Sequence, residues 1–126
     1  MPKQFSDLGI SAPIVKALTE LKIVVPTEIQ QKTIPLLLSN TTDLVGLAKT
    51  GTGKTAAFGL PILQLIDTNL PVVQAVILVP TRELGYQIFR NLEDFAKYLP
   101  QVSIAATCGG IPIKPQIERL SLPTHI

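Results

Sequence analysis

The stretch "GLAKTGTGKT", residues 46–55, decides how this chain is read. Glycines at 51 and 53 let the backbone turn tightly and bring N–H groups up to anionic oxygens. Lys54 can then reach the β and γ phosphates of a nucleotide, and Thr55 can set its hydroxyl on Mg²⁺. Just before lies the short apolar run "LVGLA", 44–48, which reads as a buried strand. Just after, a helix is predicted from about Lys54 to Ile66, with its positive dipole end at the loop. Strand, glycine loop and helix together are the setting that a phosphate loop needs. The general pattern G-x-x-x-x-G-K-[ST] has glycine where this chain has Ala48. The bland alternative is a glycine-rich turn with an incidental lysine.

Further elements extend from this loop in both directions. Upstream, Ser11 is positioned to cap a helix over "APIVKALTELK", with Pro13 tolerated in its first turn. "VVP" at 24–26 breaks the chain, and Thr27-Glu28-Ile29-Gln30 has capping-box spacing for a second helix to about Leu38. "SNTTD" reads as a loop. Downstream, "AVILVP", 75–80, is the clearest buried strand. A helix capped by Thr81 follows from Arg82 to about Tyr98. "VSIAAT", 102–107, reads as a third strand, "IPIKPQIERL" as holding one short helix, and "HI", 125–126, as the start of a fourth strand. Strands alternating with helices predict right-handed βαβ units on a parallel sheet, an α/β fold.

The bulk numbers agree with a single globular domain. At 126 residues, 46 % hydrophobic and 16 % charged, the chain can build a core and disorder is disfavoured. A net charge of +2 with scattered basic residues does not point to nucleic acid. The one cysteine, Cys108, allows no internal disulfide and fits a reducing compartment. The N-terminus lacks the apolar core of a signal peptide, and no apolar run suffices to span a bilayer. A cytoplasmic protein without a membrane partner is the simplest expectation.

Four motifs in order resemble those of the DEAD-box RNA helicases. "AKTGTGKT" looks like the family's first motif, where alanine leads, and "VPTEIQ", 25–30, is similar to its Q motif. "PTRELGYQ", 80–87, resembles its motif Ia, with Gly85 in place of the family's alanine, and "TCGG", 107–110, matches its glycine doublet. The likeness runs from Phe5 to the end and implies a RecA-like ATP-binding domain. A Q-motif segment would cover about 5–38 and a phosphate-loop core about 43–126.

The resemblance assigns roles that the residues alone leave open. Gln30 carries both a donor and an acceptor; it either completes its capping box or, as the resemblance implies, pairs with the N6 and N7 edge of adenine. Lys22-Ile23 stands where the family has glycine and an aromatic, so Ile23 covers the base with an apolar face and no π surface. Phe5 fits the family's upstream aromatic, or simply packs the N-terminal segment. The implied nucleotide-binding set is Phe5, Ile23, Thr27, Gln30, Thr50, Gly51, Thr52, Gly53, Lys54, Thr55 and Ala56, with Lys54 and Thr55 catalytic and Thr55 on the metal. Pro80, Thr81, Arg82, Gly109 and Gly110 are implied for the RNA backbone. Read alone, Thr81 and Arg82 are a helix cap and a solvated arginine, and the glycines a turn. Cys108 and His125 carry no assigned chemistry.

Such a loop works with an acid at a neighbouring strand end, and this chain offers none there. "LQLID", ending at Asp67, is the nearest imitation and follows the helix that leads away from the loop. In the family, D-E-A-D lies beyond a T-P-G-R motif, which would be expected to follow "LPTHI". The expectation is therefore the ATP- and RNA-binding front of the first of two RecA-like domains. The parent would be an ATP-dependent RNA helicase using ATP and Mg²⁺, while this stretch alone would be inactive and prone to self-association. The alternatives are a P-loop helicase acting on DNA and a nucleotide- or RNA-binding module without catalysis.

Overall fold

The computed structural model describes residues 1–39 and 43–126, so most of the "SNTTD" loop lies outside the described residues. Among the described residues a short 3-10 helix, Ser6–Leu8, which the sequence did not signal, precedes five α-helices. These are α1 (Ala12–Glu20), α2 (Glu28–Ser39), α3 (Lys54–Leu65), α4 (Arg82–Phe95) and α5 (Ile113–Leu120).

The ends of these helices have local causes. Ser11 takes the extended backbone of an N-cap, but its side chain makes no capping bond, contrary to expectation. Its N–H donates to Gln64 Oε1 (3.0 Å) instead, tying α1 to α3. α1 stops at Glu20 because Lys22 turns left-handed (φ 60°). Ile23 N–H then bonds the Leu18 carbonyl (2.9 Å) and Lys22 N–H the Thr19 carbonyl (3.0 Å), a Schellman motif. At the head of α4 the Thr81 hydroxyl accepts from Leu84 N–H (3.3 Å), as the sequence predicted. That helix closes at Phe95 rather than Tyr98.

α2 and α3 pack along each other, with a polar contact midway between them. Pro61 lies inside α3 and has no N–H for the carbonyl of Ala57. The Thr33 hydroxyl of α2 approaches that carbonyl (3.5 Å) while also bonding Ile29 O (2.8 Å). Around this contact Phe5, Ile14, Leu18, Ile34, Leu60 and Leu92 form a solvent-free core that binds the N-terminal segment, α1 and α2 to α3 and α4.

The three expected strands depart from the prediction. Residues 44–48, 75–80 and 102–107 make no backbone bonds to one another among the described residues. The bonds that exist run through residues 125–126: Gln74 and Ala75 N–H donate to His125 O, His125 and Ile126 N–H to Ser103 O, and Ala105 N–H to Ile126 O. With His125 and Ile126 bonded on both sides, the flanking segments stand two strand spacings apart, roughly 9–10 Å, too far to pair. Ahead of Ile126 they wall a trough of about 640 Å³ floored by α4. Nor are the runs buried throughout. Ala75, Ile77 and Val79 pack on the core, whereas Val76 and Leu78 are 74 % and 90 % exposed. This is the period of two expected for a segment covered on one face only.

Candidate functional site

The phosphate loop leads into α3 through Gly53, left-handed at φ 85°, with Gly51 left-handed before it (φ 77°). The first α3 bond is Ala57 N–H to Gly53 O (3.1 Å), so the N–H groups of Lys54, Thr55 and Ala56 have no backbone partner within the helix. Three unpaired amides at the positive end of the helix dipole are the kind of donor set a phosphate requires. Ala56 is buried and offers only its backbone; Thr50, Gly51 and Lys54 are exposed. The Lys54 ammonium arches back to the Ala48 carbonyl (2.8 Å), and the Thr52 hydroxyl donates to Lys49 O (2.6 Å), closing the loop on itself.

Gln30 ties this loop to the upstream segment. Its Oε1 accepts the Thr27 N–H (2.9 Å), half of the predicted capping box, and its Nε2 donates to Gly53 O (3.0 Å). Gly53 lies so close that a Cβ there would collide with the Gln30 amide. One N–H and one lone pair of Gln30 remain beyond these bonds. A cleft of about 430 Å³ opens between Thr27, Glu28, Ile29 and Lys32 on one side and Leu47, Ala48, Lys49 and Thr52 on the other; Gln30, 3 % exposed, lies beneath the surface and does not line it. Across its rim Lys32 pairs with Glu28 (2.6 Å), and that bond holds the Glu28 carboxyl below its ordinary range. The structure brings Thr27, Gln30 and the loop together, but not Phe5 or Ile23. Phe5 is 2 % exposed within the core, so its ring has no open face, and Ile23 packs behind α1 as the last residue of the Schellman motif.

The second group lies at the start of α4. Pro80, Thr81 and Arg82 are exposed, and so are Gly109 and Gly110. Gly110 is left-handed (φ 78°), and a Cβ on it would strike Arg82 Nη2, so the guanidinium rests against the glycine turn. Cys108 anchors that turn. The Tyr86 hydroxyl lies 3.4 Å from its Sγ, a contact that raises the phenol above its ordinary pKa. Gln116 of α5 grips the Cys108 backbone (2.8 and 3.0 Å). Nothing in the spacing of "IPIKPQIERL" marked Gln116. His125 is structural: it is 3 % exposed and its Nδ1 accepts the Ser103 N–H (2.9 Å). Among the described residues, no cluster of three or more His, Cys, Asp or Glu is placed to hold a metal ion.

A left-handed glycine loop feeding a helix with free terminal amides defines a P-loop nucleotide-binding domain. Comparison with known proteins narrows that class. The chain belongs to the DEAD/DEAH box helicase family, whose model matches residues 27–126. It is 45 % identical over 116 residues to the ATP-dependent RNA helicase DeaD of Escherichia coli K12, covering 92 % of this chain and 18 % of that protein. It is 45 % identical over 126 residues to the ATP-dependent rRNA helicase rrp3 of Botryotinia fuckeliana, covering 99 % of this chain and 25 % of that protein. Among solved structures, a DEAD box protein from the hyperthermophile Methanococcus jannaschii superposes with TM-score 0.87 at 36 % identity, covering 98 % of this chain and 33 % of that one. Saccharomyces cerevisiae Dbp5 bound to RNA and ADP BeF3 superposes with TM-score 0.77 at 30 % identity, covering 86 % and 29 %. The chain thus spans a quarter or less of the curated relatives named here and about a third of the similar structures.

Proposed function

We propose that residues 1–126 form the ATP- and RNA-binding front of the first RecA-like domain in a cytoplasmic ATP-dependent RNA helicase, with a second such domain elsewhere in the parent. The observation that carries this reading is the left-handed Gly51 and Gly53 leading into a helix whose Lys54, Thr55 and Ala56 amides are unpaired within it, with Gln30 bonded to Gly53. Thr50 to Thr55 would cradle the phosphates. Lys54 would leave the Ala48 carbonyl for the β and γ oxygens, and the remaining donor and acceptor of Gln30 would read adenine once the cover over this buried amide shifts. The Thr55 hydroxyl suits one ligand position of Mg²⁺, an ion that neutralises charge between the β and γ phosphates. Thr81, Arg82 and the Gly109–Gly110 amides would hold the RNA backbone with little regard to base sequence. In this reading residues 44–48, 75–80 and 102–107 are strands of a parallel sheet, and hydrolysis awaits an acid supplied from outside this stretch.

Competition binding tests the nucleotide half. ATP should displace a labelled adenine nucleotide far better than GTP does. Lys54→Ala should weaken ATP by roughly 10- to 100-fold, the loss of charge-assisted bonds worth about 1.5–3 kcal/mol. Gln30→Ala should chiefly erode the preference over GTP. Equal competition by the two nucleotides would reject the adenine assignment.

A further inference from the structure

The glycine turn is gripped by a residue that the nucleotide and RNA reading does not use. Gln116, in the first turn of α5, accepts the Cys108 N–H at Oε1 (2.8 Å) and donates from Nε2 to the Cys108 carbonyl (3.0 Å). A primary amide so placed pairs with one residue in both directions, as a neighbouring strand would. Nε2 also lies 3.3 Å from the Pro112 carbonyl. A flipped amide would face N–H with NH₂ and carbonyl with carbonyl, so the orientation is set. On the other side of Cys108, the Tyr86 hydroxyl meets Sγ, and Tyr86 lies one turn along α4 from Arg82. Cys108 leads directly into Gly109 and Gly110, the latter against the Arg82 guanidinium. Two contacts on a single residue therefore fix where the glycine amides stand relative to Arg82.

We propose that Gln116 is a positioning residue for RNA, acting through Cys108 to hold the Gly109–Gly110 amides in place beside Arg82. The proposal rests on the reading of Arg82 and the glycine doublet as backbone contacts. Consecutive glycines lose more conformational freedom on ordering than any other pair, and a turn ordered in advance spares binding that cost. An unpinned turn would still carry both amides and Arg82 but would present them together only part of the time.

The test measures anisotropy of a short labelled oligouridylate with wild type, Arg82→Ala, Gln116→Leu and the double variant, alongside ATP affinity. Gln116→Leu keeps a branched side chain of comparable bulk, one bond shorter, and removes both hydrogen bonds. RNA should bind about 3- to 10-fold more weakly, of the order expected for losing one or two modest hydrogen bonds, with ATP affinity unchanged. Amide exchange at Cys108 should quicken. The double variant should lose little beyond Arg82→Ala, because the two act as one unit. Wild-type RNA affinity in Gln116→Leu, with Arg82→Ala impaired, would overturn the positioning role and leave the RNA reading intact; so would strictly additive losses. An unimpaired Arg82→Ala would sink both. If Gln116→Leu loses ATP binding through misfolding, Gln116→Asn carries the test, since its amide stops one methylene short of Cys108. Misfolding of both would assign Gln116 to stability and reject the proposal.

Discussion

Lys22 shows how one position can hold a strain that its neighbours enforce. Its φ of 60° closes α1 and delivers Ile23 to the core, so the backbone has no freedom to relax. The left-handed conformation costs a side-chain-bearing residue roughly 1–2 kcal/mol, of which glycine would return part through its own greater entropy loss on folding. Lys22→Gly should stabilise the chain by about 0.5–1 kcal/mol, visible as a rise of a few degrees in Tm. A fall in Tm would mean that the lysine side chain makes contacts outweighing the strain. The pair Lys22-Ile23 was legible in sequence only as a departure from glycine and an aromatic; its physical role, the end of a helix, needed the backbone angles. Gln30 was legible as a two-way hydrogen-bonding residue, but which partners its amide meets depends on Gly53, 23 residues away, a closeness that no local pattern encodes.

Among elements, a surface cluster adds to the docking of α1 beside the end of α4, which the core provides. Glu20 accepts from Lys97 (2.5 Å) and from the Tyr98 hydroxyl, while Lys16 lies over the Tyr98 ring at 4.3 Å. The Lys97 bond, then the Tyr98 bond, holds the Glu20 carboxyl below its ordinary range. A depressed folded-state pKa contributes stability that is fully present above the unfolded value and lost as pH falls through the folded one. Wild type should therefore melt above Glu20→Gln at neutral pH, and the gap should close on acidification below the carboxylate range. Because the group is exposed, the gap should be small and shrink in salt; a gap that widens in acid would contradict this account. The helices themselves were largely legible, since capping residues and apolar spacing act within a few positions. The strand segments were legible as apolar runs, but the burial expected of "LVGLA" and "AVILVP" is lacking in the first and one-sided in the second, because a run says that apolar side chains are present and nothing about which element covers each face. Val76 and Leu78 have the composition of an interior and the exposure of a surface.

At the scale of the molecule those bare faces add up. Val45, Leu47, Val76, Leu78 and Ile113 are each more than 70 % exposed, and Ile117 of α5 continues the last of these patches at 59 %. Unpaired edges beside exposed apolar side chains invite strand exchange. Light scattering on the 126-residue chain should give a mass above the 13.6 kDa monomer, and a stable monomer with one cooperative thermal transition would refute this. The bonds through His125 and Ile126 have a further consequence, in time rather than in space. Residues 74–75 wait for a partner that lies about 50 positions later. At about 5–20 residues per second, a ribosome spends roughly 2–10 s making the intervening chain. During that interval "AVILVP" has been synthesised but lacks the residues that tie it to Ser103, and a holding chaperone would find its apolar side chains accessible. Phe5, Ile14, Leu18, Ile34, Leu60 and Leu92 are all made by the end of α4, while Ile104 and Ile126 join the same core later, so nascent chains should form the helical part of the core first.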